Sequence, residues 1–396
     1  MDKGVVVENG VCHKDTVNGG HDVWSCEKGG SWSCEKGGSP SSADHLVVMV
    51  HGILGIQGLF TVIMLMNWFC DCSAADWKFA AEQFARMLPD KVYVHCKETF
   101  QHTLGNGSES NGAKLTLDGV DVMGQRLAEE VLEVIKHKAE LRKISFVAHS
   151  VGGLVARYAI GVLYRPPVGA EPTDSLDNSS LENSRGTIVG LEAVNFITVA
   201  TPHLGSRGNK QVPFLLGVIS LEKVAGRVIR WIFRRTGRHL FLTDDDEGKP
   251  PLLGRMVEDS EYPFISALRP FKRRVAYSNV GYDHIVGWRT SCIRRVNELP
   301  KWKDSINEKY PHIVYEEYCK QREHDEATTE EDQSSDKIEE ELATGLSRVS
   351  WEKVDVSFHS SRLRFAAHSV IQVKDQYMQT EGADVIQHMI DHFIIR

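Results

Sequence analysis

A serine stands between a strand pattern and a helix pattern in this chain, and that order constrains the fold most. KISFVA (143–148) is a β-favouring apolar run, and VGGLVARYAIGVLY (151–164) has the pattern of a helix. A nucleophile on a tight strand-to-helix turn needs small neighbours two residues away on either side, and Ala148 and Gly152 meet that need. The pattern predicts that Ser150 is a nucleophile. The alternative is a serine that only caps the following helix. Such a serine would need neither the preceding strand, nor a small residue at 148, nor the two glycines at 152 and 153.

Short apolar runs and helical patterns alternate along most of the remaining sequence. The predicted strands are HLVVMV (45–50), KVYVHC (91–96), KISFVA (143–148), NFITVA (195–200), RRVAYSNV (273–280) and WEKVDVSF (351–358). Helical periodicity occurs over 77–88, within 117–142 and over roughly 383–394. Because strands alternate with helices, we predict an α/β fold with one doubly wound, mostly parallel sheet and helices on both faces.

The first 43 residues lack this alternation and contain a tandem repeat. WSCEKGGS occupies 24–31 and again 32–39, and its glycines and serines favour a flexible N-terminal tail before a domain over 44–396. Metal binding by Cys12, His13, Cys26 and Cys34 is a weaker alternative. Eight cysteines without a secretory signal predict reduced thiols in a cytoplasmic protein. The net charge of −8 argues against a nucleic-acid partner.

Two backbone N–H groups are candidates for stabilising an oxyanion beside Ser150. The N–H of Val151, directly after the nucleophile, is the first. The second normally comes from a loop after an earlier strand, and HGILG (51–55) makes the N–H of Ile53 the candidate. The helix after Ser150 also points its N-terminus at this position, where negative charge is favoured. The arrangement predicts acyl-transfer chemistry.

An acid and a base are expected after the nucleophile, in the chain order Ser, Asp or Glu, His. Asp283 follows the strand RRVAYSNV and is the candidate acid, with a turn-forming aspartate as the alternative. His359 and His368 both lie in the loop after the last predicted strand, and position alone does not separate them as the base. His203 precedes the acid in the chain, so the order disfavours it.

Seven motifs run through the chain from about residue 44 onward: HGILG, DWKFAAEQF, DGVDVMGQRLAEEV, ISFVAHSVGGLVARYAIG, TPHLGSRG, GWRTSCIRR and AHSVIQV. Together they resemble the putative serine esterase family, a lipase-like group of α/β-hydrolases, with the closest likeness to its plant members. The resemblance implies the α/β-hydrolase fold with a helical cap insertion, and it implies neither a metal ion nor an organic cofactor. It also implies Ser150 as nucleophile, Asp283 as acid and His368 as base, in acylation of the serine followed by hydrolysis.

Residues 56–72, IQGLFTVIMLMNWFCDC, interrupt the resemblance just after HGILG. From Gly52 to Cys70 there are 19 consecutive uncharged residues, about the length that spans a bilayer. Spanning there would pull the end of the first sheet strand away from Ser150. We therefore rank a tolerated insertion or a gene-model artefact first, a flap over the acyl site second and a membrane span last.

The segment from about 204 to 255 is the expected cap or lid. Within it, residues 212–242 place arginines among apolar residues, which is typical of a basic amphipathic segment on an anionic lipid surface. A packed helical cap with solvated arginines is an equal alternative. An apolar cover favours hydrophobic acyl chains. The strongly acidic segment of about 316–345 predicts a flexible loop.

The sequence therefore predicts a serine carboxylester hydrolase that acts on lipid acyl esters, cytoplasmic or in peripheral contact with membranes through 212–242. An acyltransferase or a thioesterase would use the same catalytic groups, and products formed with water or with an added acceptor separate them. A catalytically impaired binding protein, with residues 56–72 disrupting its oxyanion loop, is the third alternative. Retention of Ser150, Asp283 and His368 speaks against it.

Overall fold

The computed structural model describes the residues of the sheet, its covering helices and many of the loops between them. They are residues 43–52, 77–88, 91–97, 117–167, 186–206, 234–245, 248–303, 307–322, 334–375 and 377–396, with the backbone of 11–12, 22–27 and 31–36. Ile53, the predicted insertion 56–72 and most of the predicted lipid-contact segment 212–242 lie outside the described residues.

Ten strands of the described part form one sheet. They are β1 (Val11–Cys12), β2 (Asp22–Glu27), β3 (Ser31–Lys36), β4 (His45–Val50), β5 (Val92–Lys97), β6 (Lys143–His149), β9 (Glu192–Val199), β10 (Arg273–Asn279), β11 (Ile313–Cys319) and β12 (Trp351–Val356). The strands β7 (Tyr164–Arg165) and β8 (Thr187–Ile188) form a separate pair. The sheet order is β1-β2-β3-β5-β4-β6-β9-β10-β12-β11, and the six strands from β5 to β12 in this order run parallel to one another. The mostly parallel sheet predicted from the alternation is confirmed.

Helices cover both faces of this sheet. The α-helices of the described part are α1 (Lys78–Met87), α2 (Val120–His137), α3 (Gly152–Leu163), α4 (Arg234–Leu240), α5 (Leu252–Arg255), α6 (Phe264–Leu268), α7 (Trp288–Ser291), α8 (Ser334–Leu346), α9 (Ala367–Val370) and α10 (Ala383–Asp391). Side chains alternate between faces along a strand. Leu46 and Val48 of β4 therefore pack with α2 and α3, whereas Val47 and Met49 pack with α1 and α10. Both faces are buried, as a doubly wound α/β fold requires.

The N-terminal repeat differs from the flexible tail that we predicted. Each copy contributes one strand, because β2 carries WSCE of the first copy and β3 carries WSCE of the second. The two strands pair antiparallel, and β3 pairs antiparallel with β5, the first of the parallel strands. The alternation of Trp, Ser and Cys favours strands, and the intervening Lys28-Gly29-Gly30 is typical of a hairpin connection.

The acidic segment of 316–345 also contains more regular structure than we predicted. Its start belongs to β11, which pairs antiparallel with β12, and its end belongs to α8. Leu342 of α8 is buried, and Glu339 forms an ion pair with Arg289. The acidic composition predicted a loop because its charged residues outnumber the few apolar residues that pack against the rest of the fold. Residues 323–333 lie outside the described part.

The described portion of the predicted cap packs on the start of α2. The imidazole Nδ1 of His239 in α4 accepts the backbone N–H of Val120 at 3.1 Å. The hydroxyl of Thr236, also in α4, accepts the N–H of Gly119 at 3.1 Å. These bonds satisfy N–H groups at the N-terminus of α2, which have no partner within the helix. The boundaries of the cap as a unit stay a prediction.

Candidate active site

The order of strands creates a crevice at the end of β4. In the chain β4 is followed by β5 on one side and then by β6 on the other, and β4 pairs with both in parallel. Loops leaving such a point diverge, and open α/β sheets hold their reacting groups there, at the carboxyl ends of the strands. His51 and Gly52 follow β4, and Ser150 follows β6. The predicted nucleophile therefore lies at the switch point of the sheet.

Ser150 occupies the sharp turn that its sequence pattern predicts. Its φ of 55° lies in the left-handed region, which is uncommon for a residue with a side chain. The N–H of Ser150 donates to the carbonyl of Val199 on β9 at 2.8 Å, and this bond helps to hold the strained turn. A Cβ on Gly152 would lie 2.5 Å from the carbonyl oxygen of His51. The helix α3 follows the turn this closely because residue 152 is glycine.

Hydrogen bonds join Ser150, His368 and Asp283 in one chain. The Oγ of Ser150 lies 3.1 Å from Nε2 of His368. On the other side of the same ring, Nδ1 of His368 lies 2.9 Å from Oδ2 of Asp283. A carboxylate only accepts hydrogen bonds, so Nδ1 carries the proton and Nε2 accepts the hydroxyl proton of Ser150. This is the tautomer that a general base for Ser150 needs.

Asp283 is buried and bonded through both of its oxygens. Oδ1 accepts the N–H groups of Ile285 at 3.0 Å and Val286 at 2.8 Å, and Oδ2 accepts the amide N–H of Asn279 at 2.9 Å. Burial acts to raise the pKa of Asp283, but His368 and these hydrogen bonds outweigh burial and hold the pKa below its usual range. Asp283 is therefore ionised at neutral pH and fixes the orientation of His368.

The structure separates the two histidines that sequence position left open. His359 packs its ring against Tyr282, at 4.6 Å between centroids, and against Trp302, at 5.0 Å. Its Nδ1 lies 3.4 Å from the hydroxyl of Ser357. His368, nine residues further along the same loop, is the histidine that contacts Ser150. The sequence order Ser, Asp, His is matched by the geometry with His368.

The described residues contain half of the predicted oxyanion site. Val151 is buried and directly precedes α3, so its N–H is among those at the positive end of the helix. Ile53 lies outside the described residues, but its neighbour Gly52 is in place. A Cβ on Gly52 would lie 2.7 Å from Cβ of Ser150 and 3.2 Å from its Oγ. The backbone that leads into Ile53 thus passes directly beside the nucleophile.

His149 is a residue of this site that the sequence reasoning missed. Its Nε2 donates to the backbone carbonyl of His368 at 2.8 Å, and the two rings lie 4.6 Å apart between centroids. Burial, and then the charge that His368 can carry, lower the pKa of His149 well below its usual value. His149 is therefore neutral and links the end of β6 to the short helix α9 that carries His368. Its place directly before Ser150 was the signal that could have identified it.

Two further observations concern what the described residues could hold. None of their His, Cys, Asp and Glu side chains form a group of three or more arranged to bind a metal ion. The expectation that no metal and no cofactor is needed stays a prediction. Among the helices in the described ranges, none combines the length and apolar character needed to cross a membrane.

A family model described as "Putative serine esterase (DUF676)" matches residues 40–294, which is more than half of the chain. The chain belongs to this family. The match to the putative serine esterase model includes Ser150, the residues on both sides of it and Asp283. It ends before His368, whose contact with Ser150 is a finding of the structure alone.

Curated relatives of this putative serine esterase are found in two yeasts. "Putative lipase ROG1" of Saccharomyces cerevisiae is 29% identical over 254 residues, covering 64% of this chain and 29% of the relative. "Putative lipase C4A8.10" of Schizosaccharomyces pombe is 27% identical over 272 residues, covering 67% of this chain and 28% of the relative. The chain spans less than a third of the length of these two proteins. Both are fungal, so they give no support to the expected likeness to plant members.

Solved structures of lipases and esterases are similar to this chain only at a low level. The Bacillus licheniformis lipase BlEst2 matches with a TM-score of 0.32 at 14% identity, over 62% of this chain and 38% of that protein. The Pyrococcus furiosus esterase Pf2001 also matches with a TM-score of 0.32, at 10% identity over 71% of this chain and 74% of that one. The α/β-hydrolase fold follows instead from the sheet order and the turn at Ser150.

Proposed function

We propose that this chain is a serine carboxylester hydrolase that forms an acyl-enzyme on Ser150. The observation that carries the proposal is the chain of hydrogen bonds from Ser150 through His368 to the ionised Asp283. Serine hydroxyls are weak nucleophiles until a neighbouring base accepts their proton. A buried serine in a strained turn, with a histidine on its Oγ and a carboxylate behind that histidine, meets this need.

The proposed reaction has two steps. Nε2 of His368 accepts the hydroxyl proton as Oγ of Ser150 bonds to the ester carbonyl carbon, and the N–H groups of Val151 and Ile53 stabilise the negative oxygen. His368 then gives its proton to the leaving alcohol, and the acyl group stays on Ser150. In the second step, water attacks the acyl carbon with His368 again as base, and the acid product leaves.

The proposed substrate is an acyl ester of a lipid. The yeast relatives are named as putative lipases, and the sequence of 212–242 places arginines among apolar residues. Such a segment is typical of proteins that bind lipid surfaces peripherally. We extend the proposal to a cytoplasmic protein in peripheral contact with membranes.

A series of p-nitrophenyl esters with acyl chains of increasing length tests the proposal. The purified chain should hydrolyse them, with kcat/KM rising with chain length, and Ser150→Ala and His368→Gln should lose this activity. His359→Gln is the matched control, because it removes a neighbouring loop histidine that does not contact Ser150, and it should retain activity. Activity that survives Ser150→Ala would contradict the proposal.

Added acceptors separate the alternatives within the same assay. Acyl transfer to an added alcohol or thiol in preference to water would identify an acyltransferase. Faster cleavage of acyl thioesters than of matched oxygen esters would identify a thioesterase. A folded protein that acts on none of these substrates would favour the binding-protein alternative, and a variant lacking residues 56–72 then shows whether the insertion is the cause.

A further inference from the structure

An exposed apolar surface lies on the two loops that carry Asp283 and His368. Ile285 is 55% exposed and Phe365 is 61% exposed, so each of these loops presents a large apolar side chain to solvent beside the buried hydrogen-bonded site. The ring of Phe365 lies 5.3 Å from that of Tyr282 and 6.1 Å from that of His284, between centroids. The two loops therefore meet in one patch, which we call the aromatic rim: Tyr282, His284, Ile285, Arg364 and Phe365.

The aromatic rim also carries positive charge. The guanidinium of Arg364 lies 5.1 Å from the ring centroid of Phe365 and 5.3 Å from that of Tyr282. Within the described residues neither Arg364 nor the exposed Arg362 forms an ion pair with a carboxylate, in contrast to Arg294, whose carboxylate partners lie on β11 and β12. Residues 359–374 contain two arginines and one lysine without a single Asp or Glu, in a chain with a net charge of −8.

This local reversal of charge identifies the kind of partner that fits. Exposed rings insert at the boundary between lipid headgroups and acyl chains, and arginines beside them attract anionic headgroups. A neutral apolar partner would not need the cations, and a soluble acidic partner would not need the exposed Phe365 and Ile285. The rim also lies directly beside Asp283 and His368, at the carboxyl ends of the parallel strands, where Ser150 lies as well.

We propose that the aromatic rim is the surface through which the protein docks on an anionic lipid bilayer, with the reacting groups next to the membrane. This inference rests on the proposed lipid-ester hydrolysis only for its biological meaning, because docking itself needs no catalysis. The aromatic rim is a second membrane-contact surface, separate from the segment 212–242 that the sequence predicts. Substitutions in the rim should therefore change binding to vesicles without changing hydrolysis of a short soluble ester.

Flotation of the full chain with vesicles tests the proposal. The vesicles contain phosphatidylcholine alone or phosphatidylcholine with added phosphatidylglycerol. Phe365→Ser should weaken binding to the anionic vesicles by about tenfold, since it removes one aromatic side chain that docking would bury in the bilayer. Arg364→Gln should weaken it by about fivefold on anionic vesicles only, with the difference from wild type shrinking at high salt.

Tyr318→Ser is the matched control. Tyr318 is 62% exposed, close to the value for Phe365. It pairs in register with Glu352 near the amino-terminal end of β12, whereas the rim lies at the carboxyl ends of the parallel strands. It should bind vesicles as wild type does. All of these variants should hydrolyse p-nitrophenyl acetate at the wild-type rate, because none of the substituted side chains bonds to Ser150, His368 or Asp283.

Several outcomes would overturn the docking proposal. These are a wild-type chain that does not float with anionic vesicles, a Phe365→Ser variant that floats like wild type, and equal losses in Tyr318→Ser. Loss of soluble-ester activity in Phe365→Ser would also overturn it, because the rim would then be needed for catalysis. So would a wild-type dimer that Phe365→Ser converts into a monomer without an effect on flotation, because the rim would then bind a second copy of the chain. Ser150→Ala should still dock. Docking by a chain without esterase activity would leave this inference standing and refute the proposed function alone.

Discussion

Replacing Asp283 by Asn tests the proposed acid with almost no change in shape. Asp283 accepts four N–H groups, two on each oxygen. An asparagine that keeps its oxygen toward the backbone N–H groups of Ile285 and Val286 must turn its NH₂ toward Asn279 and His368. Three donors then meet where a carboxylate oxygen accepted two hydrogen bonds.

The histidine resolves this conflict by changing its tautomer. With Nδ1 unprotonated it accepts from the new amide, and the proton moves to Nε2, which then faces the hydroxyl of Ser150 and no longer accepts its proton. Loss of the base in this way costs about 10⁴-fold in kcat. This corresponds to about 5.5 kcal/mol at 1.36 kcal/mol for each factor of ten.

The assay is steady-state hydrolysis of a p-nitrophenyl ester, with kcat and KM fitted separately. KM should stay within about threefold, because the lost interaction acts only on proton transfer. Asp259→Asn is the control: one oxygen of Asp259 accepts the N–H groups of Ile265 at 2.9 Å and Ser266 at 3.1 Å, like that of Asp283, but it does not contact the site. It should retain the wild-type kcat. A kcat for Asp283→Asn within tenfold of wild type would refute the assignment.

Three further predictions follow from the geometry. Gly52→Ala should lower kcat by about a hundredfold, the cost of displacing a reacting group by about 1 Å, since the new Cβ would lie 2.7 Å from that of the nucleophile; Gly254→Ala, with 3.7 Å to its nearest neighbour, should stay active. His149→Leu should lower kcat by about tenfold, the value of one net hydrogen bond, and His149→Gln, which keeps an N–H donor at a similar reach, should recover most of it in the same ester assay at unchanged KM. Burial lowers the pKa of His45 and of His51 to about 4 in the folded chain. As the pH falls below about 6.5, these histidines therefore bind protons in the unfolded chain but stay neutral in the folded chain. Urea unfolding should show stability falling by about 1 kcal/mol per pH unit for each histidine between pH 6 and pH 4.5, with a shallower slope in His45→Gln; a flat profile would contradict the neutral buried state.

Much of the site could be predicted from sequence because its chemistry imposes local patterns. Ser150 needs a strand, small neighbours and a helix in immediate succession, and all of these are local. Asp283 followed from chain order together with its place at a strand end. His368 could not be separated from His359 by position, because the path of the loop between them depends on packing. His149 was missed because its bond goes to a backbone carbonyl 219 residues away.

The differences in the fold have a similar cause. The strand β11 and the helix α8 are stabilised by contacts with distant residues, such as the pairing of β11 with β12 and the ion pair of Glu339 with Arg289. Local composition, which is acidic, predicted a loop instead. The glycines and serines of the N-terminal repeat predicted a flexible tail, whereas the backbone of each copy pairs as a strand of the sheet. In each case tertiary pairing outweighed the average character of the segment.

Covalent labelling with a serine-reactive probe shows whether Ser150 is an activated nucleophile. The folded chain is incubated with a fluorophosphonate, digested and mapped by mass spectrometry, with Ser150→Ala alongside. We expect one phosphonylated serine, Ser150, no labelling of Ser150→Ala, and labelling of His368→Gln slowed by at least about a hundredfold. Labelling that persists in Ser150→Ala, or its absence from a folded wild-type chain and from a folded variant lacking residues 56–72, would show that Ser150 is not an activated nucleophile.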